Sequence, residues 1–573
     1  MVLQQPVRNI KVLTSLRFFA ALAIVLYHAK LSFNCLHGLP DSIVFSQGVS
    51  FFFILSGFIL TYVYEYFQTT KEVILYIGKR VGRLWPLHLV TFLICIFLVP
   101  RGLLTAPGNF SDPVTAILNL LMIQSWIPDL SIFFSYNAPS WSISTELFFY
   151  LSLPVLLYLS RKANWLPITA CALSTGIIIF LCNHWNLPVW SATGLSVQGL
   201  VAINPLSRLL EFAVGIGCAQ YFKKVADSAS TTPLKSTLFE IGAIVLAGLA
   251  VWNTEAISQT MKELPIIGTA GSYWLSESGI PLLPFALLIF VFAFQKGLIS
   301  RLLCKKVFVL LGEISFAVYL VHYPLIKYQS YYLPQYRSAE ALAIFLAVLL
   351  ILSHLLYRLV EMPARSVISD GLKKLLDREN NSSNSIFSNL RIAFKASAVT
   401  SMELVALIGL VLIAHPGIDT ITDTDATYRL QSSYCKGRNI AVGNNLEIQS
   451  LNVIRTDNQT TLEMVMKSKK DQTVNHFASV QLLTPDKKEH YLQLSRIAPL
   501  NSKLKSNSLW TARIELPIGK STREVSDLGI ILAQKEFLDI RGGKTDMDGK
   551  RLLIPLTRAQ ISDSSKHSSP VSY

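Results

Sequence analysis

Charge is what this sequence has least of. Asp, Glu, Lys and Arg together make up 15% of the 573 residues, against 51% hydrophobic. That balance excludes an ordinary soluble enzyme and fits a polytopic membrane protein with a soluble appendage. Cysteine is sparse too. The seven Cys are scattered and form no CxxC pair; Cys95, Cys171, Cys182 and Cys218 lie in apolar runs, and the C-terminal third holds only Cys435. A disulfide scaffold and a structural zinc site are therefore excluded, and no metal is expected. No internal repeat is found, which argues against a transporter built from repeated halves. No basic stripe interleaved with aromatics appears, so the net charge of +15 is no footprint of nucleic acid. The first apolar segment lacks a small-residue cleavage site and is expected to be a retained helix rather than a signal peptide.

What is present is a series of apolar runs, near 13–31, 43–65, 84–99, 141–160, 166–182, 205–221, 236–252, 281–295, 307–327, 340–360 and 397–414. A weaker run at 114–127 is bounded by Pro113 and Pro128. If it crossed the membrane, every later loop would invert. If it is half-inserted, the basic loops agree: Lys11, Lys79/Arg80/Arg83, Arg161/Lys162, Lys223/Lys224, Lys296/Arg301/Lys305/Lys306 and Arg365/Lys373/Lys374 all fall on one side, the cytoplasmic one by the positive-inside rule. The expected architecture is an all-α polytopic bundle of about ten spans plus an eleventh, followed by a small extracytoplasmic β-sandwich-like domain. In residues, 1–366 form the membrane domain, 367–396 a cytoplasmic linker containing NNSSNS, 397–414 the additional span, 415–560 the β-rich domain and 561–573 a disordered tail. The β expectation rests on alternation at Leu462/Met464/Met466 and at Trp510/Ala512/Ile514/Leu516, with Asn, Asp, Gly and Lys between the runs.

Inside the first span, Arg17 and His28 are eleven residues apart. At ~100° per residue both fall on one face, about 16 Å apart along the axis. Ionisable residues in a bilayer are costly and mark function. A buried neutral imidazole can accept a proton as general base, or carry an acyl group itself; the sequence leaves both open. Arg17 can hold a phosphate or polarise a carbonyl, or simply snorkel to the headgroups. Arg80 and Arg83 are i,i+3 neighbours, and paired guanidinium groups match phosphate geometry, although topology-setting charge explains them equally. Glu146 follows Trp141 by five residues at an expected depth of about 7 Å, near that of His28, and can orient the imidazole or the acceptor. Trp141 can stack on a sugar or anchor at the interface. Ser56 and Gly57 read mainly as close packing, with Ser56 able to touch substrate. Arg208 and Glu211 are expected to pair with each other. Tyr319, His322 and Tyr323 share or border one helix face below Glu313 and Ser315; a Tyr–His hydrogen bond in the core competes with a role on the acceptor side. Glu361 and Arg365 read as tethering with a coenzyme role open, and His88 as structural.

Taken in order, several segments resemble the acyltransferase type 3 family of integral membrane proteins. They are Arg17–x10–His28, GVSFFFILSGF at Gly48–Phe58, KRVGR at Lys79–Arg83, WSISTELFFY at Trp141–Tyr150, RLLEFAVG at Arg208–Gly215, LGEISFAVYLVHYP at Leu311–Pro324 and EMPAR at Glu361–Arg365. The resemblance covers roughly residues 8–366. It implies an enzyme moving an acyl group, often acetyl, from a cytoplasmic acyl-CoA to a hydroxyl on an extracytoplasmic glycan or glycolipid. His28, Glu146 and Arg17 would then be catalytic, Arg80, Arg83 and Arg17 would hold the coenzyme, and Trp141, Tyr319, His322 and Ser56 would meet substrate. Acyl-CoA is a co-substrate here, and no permanently bound cofactor is expected. The implied setting is a bacterial inner membrane with the N-terminus inside. A fused hydrolase-like domain with a GDS nucleophile motif occurs in that family, and no GDS occurs here. A transporter without chemistry, or a sensor with an outer ligand-binding domain, are the competing classes.

Overall fold

Long runs rich in Leu, Ile, Val and Phe satisfy their backbone polar groups internally, which in lipid leaves the helix as the available form. The computed structural model describes residues 9–33, 45–99, 112–189, 191, 195–226, 232–264, 267–333 and 336–378, with strand segments between 440 and 555. Among these residues nine helical stretches are long and apolar enough to cross a membrane: Lys11–Lys30, Thr70–Leu98, Ala138–Lys162, Leu166–His184, Gln198–Val225, Pro233–Trp252, Gly268–Ala293, Lys306–Tyr332 and Ala339–Leu372. Gly48–Val63 is a shorter apolar helix. It is buried along most of its length, so it needs no lipid-matching length and is apolar all round.

Seven helices carry the motif segments: α1 (Lys11–Phe33), α2 (Gly48–Val63), α3 (Thr70–Leu98), α4 (Trp141–Lys162), α5 (Pro205–Val225), α6 (Lys306–Tyr332) and α7 (Met362–Arg378). Glycines set how closely they approach. A Cβ on Gly57 would lie 2.1 Å from the Phe212 carbonyl oxygen, and one on Gly215 2.1 Å from that of Ile54. α2 and α5 therefore cross backbone to backbone, the small-residue contact expected for Ser56–Gly57. A Cβ on Gly312 would lie 1.9 Å from the Thr14 carbonyl oxygen, so α6 and α1 also touch through their backbones.

The basic helix ends meet at one face. Lys223 at the end of α5 pairs with Glu65 just after α2 at 3.0 Å, Arg161 at the end of α4 lies over the Tyr66 ring, and Gln295 donates to the Asn9 carbonyl. The doubtful run is a nine-residue helix, Asp112–Leu120. It rises about 13 Å, too little to cross. It is held from below: the Trp85 indole donates to the Leu120 carbonyl at 3.1 Å, and His88 Nε2 lies 2.8 Å from the Asn119 carbonyl, a structural role for His88.

Two boundaries differ from expectation. α3 begins at Thr70, with Thr69 accepting from Glu72 N as N-cap, because the basic stretch before the apolar run is itself helical. α7 continues to Arg378, into the stretch expected as linker. Ile368 and Leu372, one turn apart, fill the space left by Gly82 and Gly78 of α3, which gives that polar segment an apolar seam. The expected span at 397–414 and the tail at 561–573 lie outside the described residues.

In the C-terminal part, Thr460–Ser468 pairs antiparallel with Leu509–Leu516, setting Leu462 opposite Ile514, Met464 opposite Ala512 and Met466 opposite Trp510. The two alternating runs seen in the sequence are thus direct neighbours.

Arg208 and Glu211 form a buried bidentate pair, with Nε–Oε2 at 2.7 Å and Nη2–Oε1 at 3.0 Å, each side chain 2% exposed. Arg208 also donates to Ser50 Oγ and to the Ala202 carbonyl. Glu211→Gln removes the carboxylate paired directly with a buried guanidinium and should cost about 3–5 kcal/mol. The measurement is thermal unfolding in detergent, where the double variant Arg208→Met/Glu211→Leu should be less damaged than Glu211→Gln.

Candidate active site

The sequence-marked polar residues gather in two places, joined by one tyrosine. The first is a cavity of about 220 Å³ lined by Arg17, Ser56, Arg80, Arg83, Ser142, Glu146, Tyr150 and Tyr319 among apolar side chains. Three guanidinium groups face one carboxylate there, so the cavity is net positive. Glu146 Oε1 accepts from Ser56 Oγ at 2.7 Å and from the Tyr150 hydroxyl, which fixes the carboxylate on the cavity wall. The Arg80 guanidinium lies 5.8 Å from the ring centroids of Tyr64 and Tyr76 and 6.0 Å from that of Tyr150. Such an aromatic surround holds a cation in place without neutralising it. Arg80 Nε is buried and has no partner among the described residues, and so keeps a donor for a ligand. Arg17 and Arg83 line the same cavity as Glu146. Glu361 pairs with Arg365 at 3.5 Å, i,i+4 along one helix.

The second place is the pair His28 and His322. His28 Nδ1 lies 2.9 Å from His322 Nε2, with the ring planes 22° apart. His322 is fully buried, whereas His28 keeps partial exposure. Tyr323 stands edge-on to His28, with centroids 5.7 Å apart. Along α1 the pair is about 16 Å from Arg17.

Tyr319 belongs to both places. It lines the cavity, and its ring centroid is 5.8 Å from that of His322. Its hydroxyl donates to the Pro139 carbonyl at 2.9 Å and lies 2.8 Å from Ser142 Oγ. The expected Tyr319–His322 hydrogen bond runs through the backbone, with His322 Nδ1 2.5 Å from the Tyr319 carbonyl oxygen.

The expected contact between Glu146 and His28 is not made. The depth arithmetic sets Trp141 at the membrane surface, but the chain before it, Ala138–Ser140, is itself buried, and Asn137 donates to the Leu320 carbonyl at 2.9 Å. α4 therefore starts inside the bundle, beside Tyr319, and Glu146 lies farther from His28, in the arginine cavity. Trp141 packs against Phe53 and carries the Arg208 guanidinium 5.7 Å from its ring centroid. Tyr150 is a cavity residue that sequence reading misses. It lies i+4 from Glu146, the spacing that puts two side chains on one face, so the signal is present in the sequence. Ser142, i−4 from Glu146, carries the same signal.

An acyltransferase-domain family model matches residues 10–358. The acyltransferase MdmB of Streptomyces mycarofaciens is 30% identical over 385 residues, 62% of this chain and 92% of that protein. The O-acetyltransferase OatA of Staphylococcus aureus is 25% identical over 374 residues, 62% of this chain and 57% of its own length. A putative peptidoglycan O-acetyltransferase, YrhL of Bacillus subtilis, is 26% identical over 385 residues, 63% of this chain and 55% of its own. The chain thus spans just over half the length of the latter two. No solved structure matches. The family match covers more than half of the chain and takes in every helix that lines the cavity and the histidine pair, so this protein belongs to the acyltransferase 3 family and is an integral membrane acyltransferase.

Proposed function

We propose that this protein moves an acyl group, acetyl in the simplest case, from acyl-CoA to a hydroxyl of an extracytoplasmic glycan. The observation that carries the reading is the net-positive cavity in the basic half of the bundle, connected through Tyr319 to a histidine pair farther along α1. Basic helix ends favour the cytoplasm, where acyl-CoA is found, so the N-terminus is assigned inside. Arg80 and Arg83 hold the coenzyme phosphates in the geometry that suits guanidinium groups, and Arg17 meets the donor nearer the thioester. The acyl end then extends past Tyr319 toward His28. Two of the relatives are named O-acetyltransferases, one of them a putative peptidoglycan O-acetyltransferase, which supports acetyl as the group and an envelope glycan as the acceptor class.

In the direct route, His28 takes the proton of the acceptor hydroxyl as its oxygen attacks the thioester carbonyl. The C–O bond forms, the C–S bond breaks, and the departing thiolate takes the proton back from His28 as coenzyme A thiol. In the two-step route, the imidazole nitrogen attacks first: a C–N bond forms, the C–S bond breaks and the thiolate leaves; the acceptor oxygen then takes the acyl group as the C–N bond breaks, and the hydroxyl's proton ends on the thiolate as coenzyme A thiol. Glu146, held by Ser56 and Tyr150, fixes the wall of the donor cavity. The residues after 414 are proposed to form an outer β-sandwich-like domain, following a span at 397–414, that presents the acceptor. Paired antiparallel strands in two five-stranded sheets support that reading.

Purified protein given acyl-CoA with a labelled acyl group tests the reaction: label should pass to a soluble glycan fragment or to water. No coenzyme binding and no label transfer would favour a carrier without chemistry. Arg80→Gln and Arg83→Gln should each raise KM for acyl-CoA by about 10–100-fold with little change in kcat, matching loss of one charge-assisted hydrogen bond of ~1.5–3 kcal/mol. Isothermal titration with coenzyme A alone reads the same loss without turnover.

A further inference from the structure

The hydrogen bonds of the two facing imidazoles run in one direction. His322 Nδ1 lies 2.5 Å from the Tyr319 carbonyl oxygen. A carbonyl oxygen only accepts, so this nitrogen carries a hydrogen. A neutral imidazole has a single N–H, which leaves His322 Nε2 with a lone pair. That lone pair lies 2.9 Å from His28 Nδ1 in a fully buried side chain, and a buried acceptor needs a donor. His28 Nδ1 therefore holds the hydrogen, and the lone pair of His28 falls on Nε2. A second proton on His322 is opposed by its surroundings. The ring is fully buried, and a buried imidazolium without a counter-charge is costly.

We propose that His322 is a positioning residue that fixes the tautomer of His28, making Nε2 the atom that takes the acceptor's proton or attacks the thioester. This rests on the proposed role of His28 in the transfer. In a Ser-His-Asp site a carboxylate does the same for its histidine and also balances the imidazolium charge. Here a neutral ring sets the tautomer without supplying that charge. When Nε2 takes the proton, the Nδ1–H···Nε2 bond becomes charge-assisted and strengthens. The order of exposure agrees: the sealed ring lies behind and the partly exposed ring in front.

The test is nitrogen NMR of the full-length protein in lipid nanodiscs with 15N-labelled histidine, the His28 signals being identified by their loss in His28→Asn. The wild-type protein should show His28 with Nδ1 protonated and Nε2 unprotonated at pH 7.5. His322→Gln keeps a side-chain carbonyl that accepts from Nδ1–H and should preserve that pattern, with kcat within a few-fold of wild type. His322→Leu removes the acceptor. Its His28 should then show protonation at Nε2, and kcat should fall by roughly 10²-fold, within the range of a general base's contribution, with KM for acyl-CoA unchanged. A wild-type His28 protonated at Nε2, or a folded His322→Leu with the wild-type pattern, overturns the proposal. If the Leu variant does not fold, the wild-type pattern and the Gln variant decide alone. The pattern is read without turnover. A wild-type spectrum as expected in a protein that transfers no acyl group would overturn the proposed reaction and leave the tautomer assignment standing, and the converse result would do the reverse.

Discussion

His28→Ala protein, folded and able to bind coenzyme A, should transfer acyl groups at least about 100-fold more slowly than wild type, up to the ~10⁴-fold that general-base catalysis supplies. Binding should survive because the groups assigned to the coenzyme lie in the other cluster. Arg80 is held by Tyr64, Tyr76 and Tyr150, and none of these touches α1 near His28. The loss should therefore appear in kcat and leave the dissociation constant for coenzyme A within a few-fold of wild type. The substitution also removes the donor to His322 Nε2, leaving one buried acceptor unsatisfied at about 1–3 kcal/mol, so a modest drop in thermal stability should accompany it. Incubating the wild type with labelled acyl-CoA and no acceptor separates the two chemical routes. Label retained on the protein, and absent in His28→Ala, marks an acyl-imidazole; label found only in hydrolysed or acceptor-linked product marks the direct route. A folded His28→Ala enzyme with full turnover would remove His28 from the chemistry altogether.

Much of this arrangement is legible in the spacing of residues. Arg80 and Arg83 share a helix face because they are i,i+3, and both line the cavity. Arg208 and Glu211 pair for the same reason. Lys223 and Arg161 reach one face because charge at helix ends sets topology. What spacing within one helix cannot supply is the offset between helices. Counting from Trp141 sets Glu146 beside His28, and the count fails because Ala138–Ser140 is buried, a fact that depends on the packing of Asn137 against α6. The His28–His322 bond is out of reach for the same reason. The two residues are 294 apart in sequence, and their register depends on where α1 and α6 touch. The helical extent of α7 is hidden because Ile368 and Leu372 find their partners at the glycines of α3, across a gap that sequence spacing does not show.

That register makes Gly312→Ala the second large expected effect, although Gly312 meets neither histidine. Its Cβ would lie 1.9 Å from the Thr14 carbonyl oxygen and 2.4 Å from the carbonyl carbon. Both are backbone atoms of a helix, so no side chain can swing aside to make room. α1 and α6 must separate by roughly 1 Å, and overpacking of this kind costs about 1–3 kcal/mol in a packed core. The displacement does not stay local. Thr14 and His28 lie on one continuous helix, 14 residues and about 21 Å apart, and a helix moves as a rod. The 2.9 Å contact between His28 and His322 has little slack, since a hydrogen bond lengthened by 1 Å is lost. A misplacement of that size in a reacting group can cost 10²-fold in rate. Gly312→Ala should therefore lower kcat by about 10²-fold while coenzyme A binding changes less. Two comparisons isolate the cause. Gly57→Ala makes a similar clash, 2.1 Å from the Phe212 carbonyl oxygen, but between α2 and α5, so it should lower thermal stability with a smaller effect on kcat. Gly176→Ala meets nothing within 4 Å and should leave both unchanged. A Gly312→Ala enzyme with wild-type kcat, alongside the expected loss of stability, would mean that the crossing of α1 and α6 does not set the histidine register.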